Sequence, residues 1–279
     1  MNFGYLIVVA EHETIDYDRL AYALALSIKN TQKEGFDKVA LVIDDKSRLE
    51  KFKSTWVFDY IIEWSQKSFW DGRSYMNQLT PFEYTVCLDA DMLFFRDYSH
   101  WVEYFIENTE LYLPNRAFTY RGQEIDQDHY RKTFTENGLP NLYSFYTFFK
   151  KDSELVTDFF NLVQQITENP LEFKNLYLAK YRPKLVGTDE AVSLAAKILG
   201  ICNQISYALE FPRVVHFKGN VQGWPWPADI ASDHVGFYFN ESAELKLGNY
   251  QQIDIVHYVE KDKITDEVIS VLEEIAWKK

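Results

Sequence analysis

The sequence lacks the features that mark secreted, membrane-spanning or nucleic-acid-binding proteins. It has two cysteines in 279 residues, and Cys87 falls in an apolar stretch, where we interpret it as a small core side chain. No apolar run approaches the roughly 18 residues that a membrane span needs. No cluster of lysine and arginine offsets the net charge of −13, so binding to nucleic acid would require a local basic patch.

The first residues carry no secretory signal, because Met1–Gly4 has no basic side chain and the apolar run Tyr5–Ala10 is too short. We therefore expect a cytoplasmic protein. The composition is 47% hydrophobic and 25% charged, which is ordinary for a globular protein, whereas the aromatic fraction of 17% is high. This composition predicts a thick core, and the length allows one domain that spans residues 1–279.

The order of the segments predicts an α/β fold. Tyr5–Ala10 and Val39–Ile43 are apolar runs of strand length, and apolar side chains recur at helical spacing from Leu20 to Ile28 between them. Strand, helix and strand with short connections predict a parallel βαβ unit. We therefore expect a Rossmann-like, mostly parallel central sheet flanked by helices.

The rest of the chain continues this pattern, apart from a loop-rich middle. Further strands are predicted at 60–64, 85–88, 111–113, 143–149, 214–217 and 253–258, and further helices at 49–56, 101–107, 154–169, 188–199 and 266–276. Residues 115–141 are polar and weakly periodic, which predicts a long excursion or lid outside the core.

Asp89 and Asp91 follow an apolar strand and are the strongest candidates for chemistry. Burying two carboxylates is costly unless a cation pairs with them. Mg²⁺ and Mn²⁺ take oxygen ligands and leave room for substrate phosphates, although both acids could simply face water. In open α/β sheets ligands bind at the carboxyl ends of the strands, where Ala10 and Asp44 also fall. This shared position favours a metal site.

Three further features could carry function, and each has a structural alternative. The ring of His216 would complete a carboxylate–histidine site for Mn²⁺, whereas a lone histidine at a strand end is more often structural. Asp189 and Glu190 would hydrogen-bond sugar hydroxyls, or only complement the dipole of a helix that Thr188 caps. Arg73 would pair with a phosphate, or lie solvated on the surface.

Taken together, these residues resemble metal-dependent GT-A glycosyltransferases, especially the glycogenin and bacterial lipooligosaccharide galactosyltransferase group. The matching motifs occur in the family's order after the first strand: LAYALALSIK at 20–29, LDADMLFF at 88–95, TDEAVSLA at 188–195 and HFKGNVQGW at 216–224. The resemblance implies that Asp89, Asp91 and His216 bind Mn²⁺ or Mg²⁺, which bridges the donor diphosphate.

The resemblance also implies roles for residues outside the metal site. Asp189 would hold sugar or acceptor hydroxyls, and Glu190 stands where the family often has a glutamine near the reacting face. The implied donor-binding residues are Ala10 near the nucleotide base, Arg73 at the donor, and Gly219 and Trp224 in the phosphate loop.

The sequence departs from the family in two places. Gln222-Gly223 stands where the phosphate loop normally has Lys-Pro, so either Lys218 replaces the missing lysine or the grip on phosphate is weaker. His257-Tyr258, followed by Lys261, is a second segment that could supply the third metal ligand in place of His216.

The stretches TYRGQEIDQDHY at 119–130 and ENGLPNLYSFYTFF at 136–149 are similar to glycosyltransferases from bacteriophage genomes. This similarity adds a modified nucleic-acid base to the acceptors to be considered, beside a glycan or a small molecule. The basic side chains that could form a local groove for it are Arg116, Arg121, Arg131 and Lys132.

The expected activity is transfer of a hexose from UDP-glucose, UDP-galactose or a related donor, with retention of configuration. Two alternatives stay open. A nucleotidyltransferase has a similar fold and metal site but normally carries a glycine-rich loop after its first strand, where this chain has Glu11-His12-Glu13. The other alternative is a non-catalytic protein that binds nucleotide sugars, which the missing loop lysine favours.

Overall fold

Twelve strands lie in the part of the chain that the computed structural model describes, namely residues 2–65, 69–126, 131–181, 183–206, 212–218, 235–258 and 260–278. For 69–71 only the backbone is described. The strands are β1 (Phe3–Val8), β2 (Val39–Ile43), β3 (Tyr60–Glu63), β4 (Tyr84–Leu88), β5 (Met92–Leu93), β6 (Leu111–Tyr112), β7 (Tyr146–Lys150), β8 (Val214–Phe217), β9 (Phe237–Phe239), β10 (Leu245–Leu247), β11 (Tyr250–Gln252) and β12 (Ile255–Tyr258).

A six-stranded sheet with the order β3-β2-β1-β4-β7-β6 forms the centre of the structure. The pairs β3/β2, β2/β1 and β1/β4 are parallel, whereas β7 is antiparallel to both β4 and β6. Successive side chains of these strands enter opposite clusters, with Tyr5 and Ile7 on one face and Leu6 and Val8 on the other. The continuous apolar runs therefore reflect a sheet that is covered on both faces.

The helices are α1 (Tyr17–Thr31), α2 (Phe69–Ser74), α3 (Met76–Leu79), α4 (Ser99–Asn108), α5 (Lys132–Asn137), α6 (Glu154–Glu168), α7 (Pro170–Tyr177), α8 (Thr188–Leu199), α9 (Cys202–Ile205) and α10 (Asp266–Ala276). Helices α1 and α10 pack together and contribute to the apolar cluster on one face of the sheet, and α6 and α8 contribute to the other. No helix among the described residues is long and apolar enough to cross a membrane.

Two small sheets complete the architecture. Strands β11, β10 and β9 form an antiparallel sheet, and β5, β12 and β8 form the other, in which β12 is parallel to β8 and antiparallel to β5. The second sheet matters for function. Because β5 begins directly after Asp91, the sheet places β12 and β8 beside the acidic pair.

The fold class predicted from the sequence is confirmed, with two local corrections. The helix predicted at 49–56 is wrong, because Lys46–Lys51 forms a 3₁₀ turn that Asp45 caps by accepting from the amide of Ser47. Residues 115–141, expected to be an excursion or lid, contribute side chains to the core, although 121–124 are exposed. Ala117, Tyr120 and Ile125 belong to the core cluster, and the spaced polar residues concealed these widely separated apolar side chains.

Candidate active site

Asp89 and Asp91 lie at the carboxyl end of β4, where the predicted site was placed. Ala90 between them is buried in the apolar cluster, and the backbone is held on both sides of the pair. The amide of Asp89 donates to the carbonyl of Phe145 (3.2 Å), and the carbonyl of Asp91 accepts from the amide of Tyr258 (3.0 Å). Asp91 is buried and Asp89 is partly exposed. Main-chain bonds to the residue before β7 and from β12 therefore fix the backbone that carries the two carboxylates.

His257 is the histidine that joins this pair. Its Nε2 lies 3.2 Å from Oδ2 of Asp91 and 3.6 Å from Oδ2 of Asp89. One ligand atom from each of the three residues lies within 4.8 Å of the others. The small sheet explains the choice, because His257 pairs with Met92, the residue directly after Asp91. The histidine of this three-residue group is thus His257. His216, which the motif had favoured, is not part of it.

His216 lies beside His257 and one strand further from the carboxylates. The two residues are direct partners in the parallel β8/β12 pair, and their Nδ1 atoms are 3.1 Å apart. The ring of Phe145 contacts both imidazoles, with centroid distances of 6.3 Å to His216 and 5.5 Å to His257. The structure therefore brings His216 to the site, but behind His257.

Both imidazoles are buried, and burial is the main cause of their altered acidity. Burial lowers the pKa of His257 to about 3, and it lowers the pKa of His216 well below its ordinary value. Both rings are consequently neutral near pH 7. The contact between His257 and Asp91 is therefore not an ion pair, and the lone pair of a neutral ring is available to a cation.

Two basic side chains neutralise the carboxylates from either side. Arg73, which is buried, pairs with Asp89, and Lys261 pairs with Asp91. Burial lowers the pKa of Lys261 to about 8. The sequence had indicated Arg73, whereas Lys261 was noted only as a neighbour of His257. The signal that could have identified it is the spacing of a lysine four residues after a site histidine.

Asp189 is held at the start of α8 by a dense set of hydrogen bonds. Its Oδ2 accepts from Nη1 of Arg131 (2.8 Å), and its Oδ1 accepts from the amide (2.8 Å) and the hydroxyl (2.7 Å) of Ser144. Burial acts to raise its pKa, but the charge of Arg131 and these bonds together hold the pKa below the ordinary value. Burial lowers the pKa of Arg73 and of Lys218, and the charge of Asp189 opposes that shift in both. Asp189 therefore lies within electrostatic range of the basic side chains at the acidic pair.

Glu190 serves as a backbone cap in this structure. Its Oε2 accepts from the amide of Gly187 (3.1 Å), the residue that precedes α8. Gly187, and not Thr188, therefore occupies the N-cap position. Burial and the neighbouring charge of Asp189 raise the pKa of Glu190.

Ala10 lies at the carboxyl end of β1, beside a cavity of about 350 Å³ that Glu11–Asp18, Arg48 and Lys51 also line. The cavity wall is braced by Asp44, which accepts from the amide of Glu11 (3.0 Å) and pairs with Arg48 (2.7 Å). Lys218 directly follows β8, and burial lowers its pKa. Gly219 and Trp224, as well as Gln222, lie outside the described residues.

No protein-family model matches the chain, and no curated protein matches its sequence. Solved structures do match. Mouse xyloside xylosyltransferase 1 superposes with a TM-score of 0.54 at 11% identity, covering 93% of this chain and 98% of that one. The glycosyltransferase GlyE of Streptococcus pneumoniae TIGR4 matches with a TM-score of 0.52 at 13% identity over 98% of this chain. This chain has a glycosyltransferase fold.

The extent of the match differs among these glycosyltransferase structures. The bifunctional glycosyltransferase WbbM matches 100% of this chain, with a TM-score of 0.54 at 13% identity. This chain spans only 59% of the GlyE chain and 52% of the WbbM chain, whereas it spans nearly all of the xylosyltransferase. At identities this low, the superpositions establish only the fold. The chemistry of this protein must therefore be argued from its own site.

Proposed function

We propose that this protein is a metal-dependent glycosyltransferase that transfers a hexose from a nucleoside diphosphate sugar. The observation that carries the proposal is the group of Asp89, Asp91 and His257 at the carboxyl end of the central sheet, in a glycosyltransferase fold. We take the donor to be a UDP-sugar such as UDP-glucose or UDP-galactose, and the transfer to proceed with retention, as the resemblance in the sequence implies.

The side chains present fit a divalent cation. Two carboxylates and one neutral imidazole form a mixed oxygen–nitrogen donor set, which suits Mn²⁺ and also accepts Mg²⁺. Three protein ligands leave further positions for diphosphate oxygens. When bound, the cation would supply Lewis-acid stabilisation of the departing diphosphate. We assign the third protein ligand to His257 because its Nε2 faces both carboxylates.

Basic side chains surround the proposed position of the diphosphate. Arg73 and Lys261 flank the carboxylates, and Lys218 follows the neighbouring strand β8. Their guanidinium and ammonium groups would bind phosphate oxygens through charge-assisted hydrogen bonds. Gln222 stands where the family's phosphate loop has a lysine. Lys261 would replace that lysine, which supports an active enzyme over a non-catalytic binding protein.

The cavity beside Ala10 is the proposed site for the nucleotide base, and Asp189 is the proposed contact for sugar or acceptor hydroxyls. An ionised carboxylate has about four lone-pair sites. Arg131 and Ser144 use three of those on Asp189, whose side chain is 32% exposed. Room for one hydroxyl therefore remains. Glu190, bonded to the backbone next to it, would lie near the reacting face.

The test is release of UDP from a panel of UDP-sugars by the full chain in the presence of Mn²⁺. Release is measured without an acceptor and with glycans, small molecules or DNA that carries modified bases. We expect release from at least one donor, and at least a hundredfold loss of turnover in Asp91→Asn, because removal of one ligand charge weakens both the metal and the diphosphate site. Comparison of the anomeric proton of the product with that of the donor by NMR then determines retention.

Tight binding of UDP without turnover of any donor would instead identify a non-catalytic binding protein. Release of pyrophosphate from nucleoside triphosphates would identify a nucleotidyltransferase. Mn²⁺-dependent UDP binding that is unchanged in Asp91→Asn would contradict the metal assignment.

A further inference from the structure

The contact between His216 and His257 restricts where one proton can lie. Their Nδ1 atoms are 3.1 Å apart, which is a hydrogen-bond distance between two ring nitrogens. Such a contact is favourable only when one nitrogen carries the proton and the other offers a lone pair. The parallel pairing of β8 with β12 makes the two residues direct partners, so the contact is built into the sheet and does not depend on a flexible loop.

The opposite nitrogen of His257 faces the acidic pair, with Nε2 at 3.2 Å from Asp91. A neutral imidazole that binds a cation through Nε2 must carry its proton on Nδ1. That proton then points at His216, whose Nδ1 must be the acceptor. One orientation of the shared hydrogen bond is thus compatible with metal binding, and the reverse orientation is not.

We propose that His216 is a positioning residue: its Nδ1 accepts the Nδ1 proton of His257 and thereby selects the tautomer of His257 that binds the cation. This inference rests on the proposed function, because it takes His257 as a metal ligand. Groups that hold the other nitrogen of a metal-bound histidine fix the ring's orientation and tautomer, and their loss typically weakens metal affinity about 10- to 100-fold.

Two substitutions separate the hydrogen bond from packing. In His216→Asn the amide oxygen takes the place of the ring's Nδ1 and can accept the same proton, although the side chain is smaller. In His216→Leu the volume is nearly kept but no acceptor remains. A purely structural role predicts that leucine is tolerated better than asparagine, and the tautomer role predicts the reverse.

The measurement is the dissociation constant of Mn²⁺ for the full chain, obtained from the EPR signal of free Mn²⁺. We expect about tenfold weaker binding in His216→Leu, and binding within about threefold of wild type in His216→Asn. ¹⁵N NMR of histidine-labelled wild type saturated with Mg²⁺, which is diamagnetic, should show the proton of His216 on Nε2, because its Nδ1 accepts from His257. Thermal unfolding should confirm that each variant folds.

His257→Ala distinguishes failure of this inference from failure of the proposed site. If His257→Ala loses Mn²⁺ binding while His216→Leu binds like wild type, the metal site stands and the tautomer role is overturned. Mn²⁺ binding that persists in His257→Ala overturns the proposed third ligand itself. A spectrum of the Mg²⁺-bound wild type with the proton of His216 on Nδ1 overturns the role of His216. Equal loss of binding in the leucine and asparagine variants overturns it as well.

Discussion

The three carboxylates at the site differ in how many partners hold each of them. Asp89 and Asp91 are each paired with a basic side chain, whereas Asp189 is committed to Arg131 and Ser144. The first two carboxylates can therefore exchange partners when a cation and a diphosphate bind. Asp189 is locked into one geometry. This difference gives two predictions at the scale of the residue.

The first prediction concerns Lys261. Replacement of Lys261 by alanine removes an ammonium group that lies beside Asp91 and would contact the diphosphate. A hydrogen bond to a charged group contributes about 1.5 to 3 kcal/mol, so kcat/KM for the donor should fall at least about tenfold. Lys263→Ala is the matched control, because Lys263 pairs with Asp262 and Glu260 instead. Equal effects of the two variants on UDP release would contradict a specific role for Lys261.

The second prediction concerns the pH dependence of stability. The pKa of Asp189 is lower in the folded protein than its ordinary value of 3.8, so its ionised form stabilises the fold above that value. This contribution is lost as the pH falls through the lower folded pKa. Asp189→Asn leaves Arg131 buried without its charge partner, and Nε of Arg131 already has no hydrogen-bond partner among the described residues.

We expect Asp189→Asn to lower the free energy of unfolding by about 2 to 3 kcal/mol near neutral pH, below the full cost of breaking a buried pair since the carboxylate is partly exposed. Urea unfolding between pH 7 and about 3.5 should show this difference shrinking only below about pH 4. Asp266→Asn is the control, because its side chain is 96% exposed and its pair with Arg19 should contribute little. A difference that grows as the pH falls would contradict the assigned role.

At the scale of the element, α8 carries Asp189 and Glu190 on its first turn and ends at Gly200. Gly200 has a left-handed backbone with φ of 70°, and its amide bonds to the carbonyls of Ala196 and Lys197. Among the described residues, apart from the neighbouring backbone, no atom lies within 4 Å of the position that a Cβ would take. The requirement for glycine at this helix end is therefore conformational and not steric.

Gly200→Ala should lower the free energy of unfolding by about 1 kcal/mol, because an L-residue is disfavoured in this region. Gly200→Asn should cost less, since asparagine tolerates the left-handed conformation better. Thermal or urea unfolding measures both effects. The activity of the two variants at low temperature should match that of wild type, since α8 is anchored at its other end by Asp189. Equal stability of the alanine variant and wild type would argue against this C-cap.

For the whole molecule, the decisive feature is that the last part of the chain completes the centre of the structure. Strand β12 lies between β5 and β8, and α10 packs against α1. The contacts between the ends of the chain are polar as well as apolar. The hydroxyl of Tyr22 donates to Glu273 (2.9 Å), and the amide of Asn30 donates to the carbonyl of Leu272 (3.0 Å). We therefore propose that residues 1–279 form one domain.

Deletion of residues 255–279 should abolish the single cooperative unfolding transition expected of the full chain, because it removes β12 and α10 and leaves apolar surface of α1 uncovered. The deleted segment also contains His257 and Lys261, so Mn²⁺ binding should disappear with it. Circular dichroism and calorimetry would detect the change, and a chain shortened only by residues 278–279 is the control. Two separate transitions in the full chain would contradict a single domain.

Much of this arrangement follows from local sequence. The apolar runs of β1, β2 and β4 and the position of Asp89 and Asp91 after a strand were predictable. So were the N-caps of α6 and α10, where the hydroxyls of Ser153 and Thr265 accept from the amides three residues further on. Each depends on periodicity or on a capping residue near the element it controls. The carboxylates could be placed because the carboxyl ends of parallel strands share one edge of a sheet.

The identity of the third side chain at the acidic pair was decided only by tertiary structure. Both His216 and His257 lie near the ends of apolar strands, each with a lysine within the next four residues, and the local motif favoured His216. The order β5-β12-β8 places His257 against the acidic pair and His216 one strand further away. The partners of Asp189 were likewise beyond local reasoning, because Arg131 and Ser144 are distant in the chain. Strand order depends on how the whole apolar surface is buried, whereas a motif reports only on its own neighbourhood.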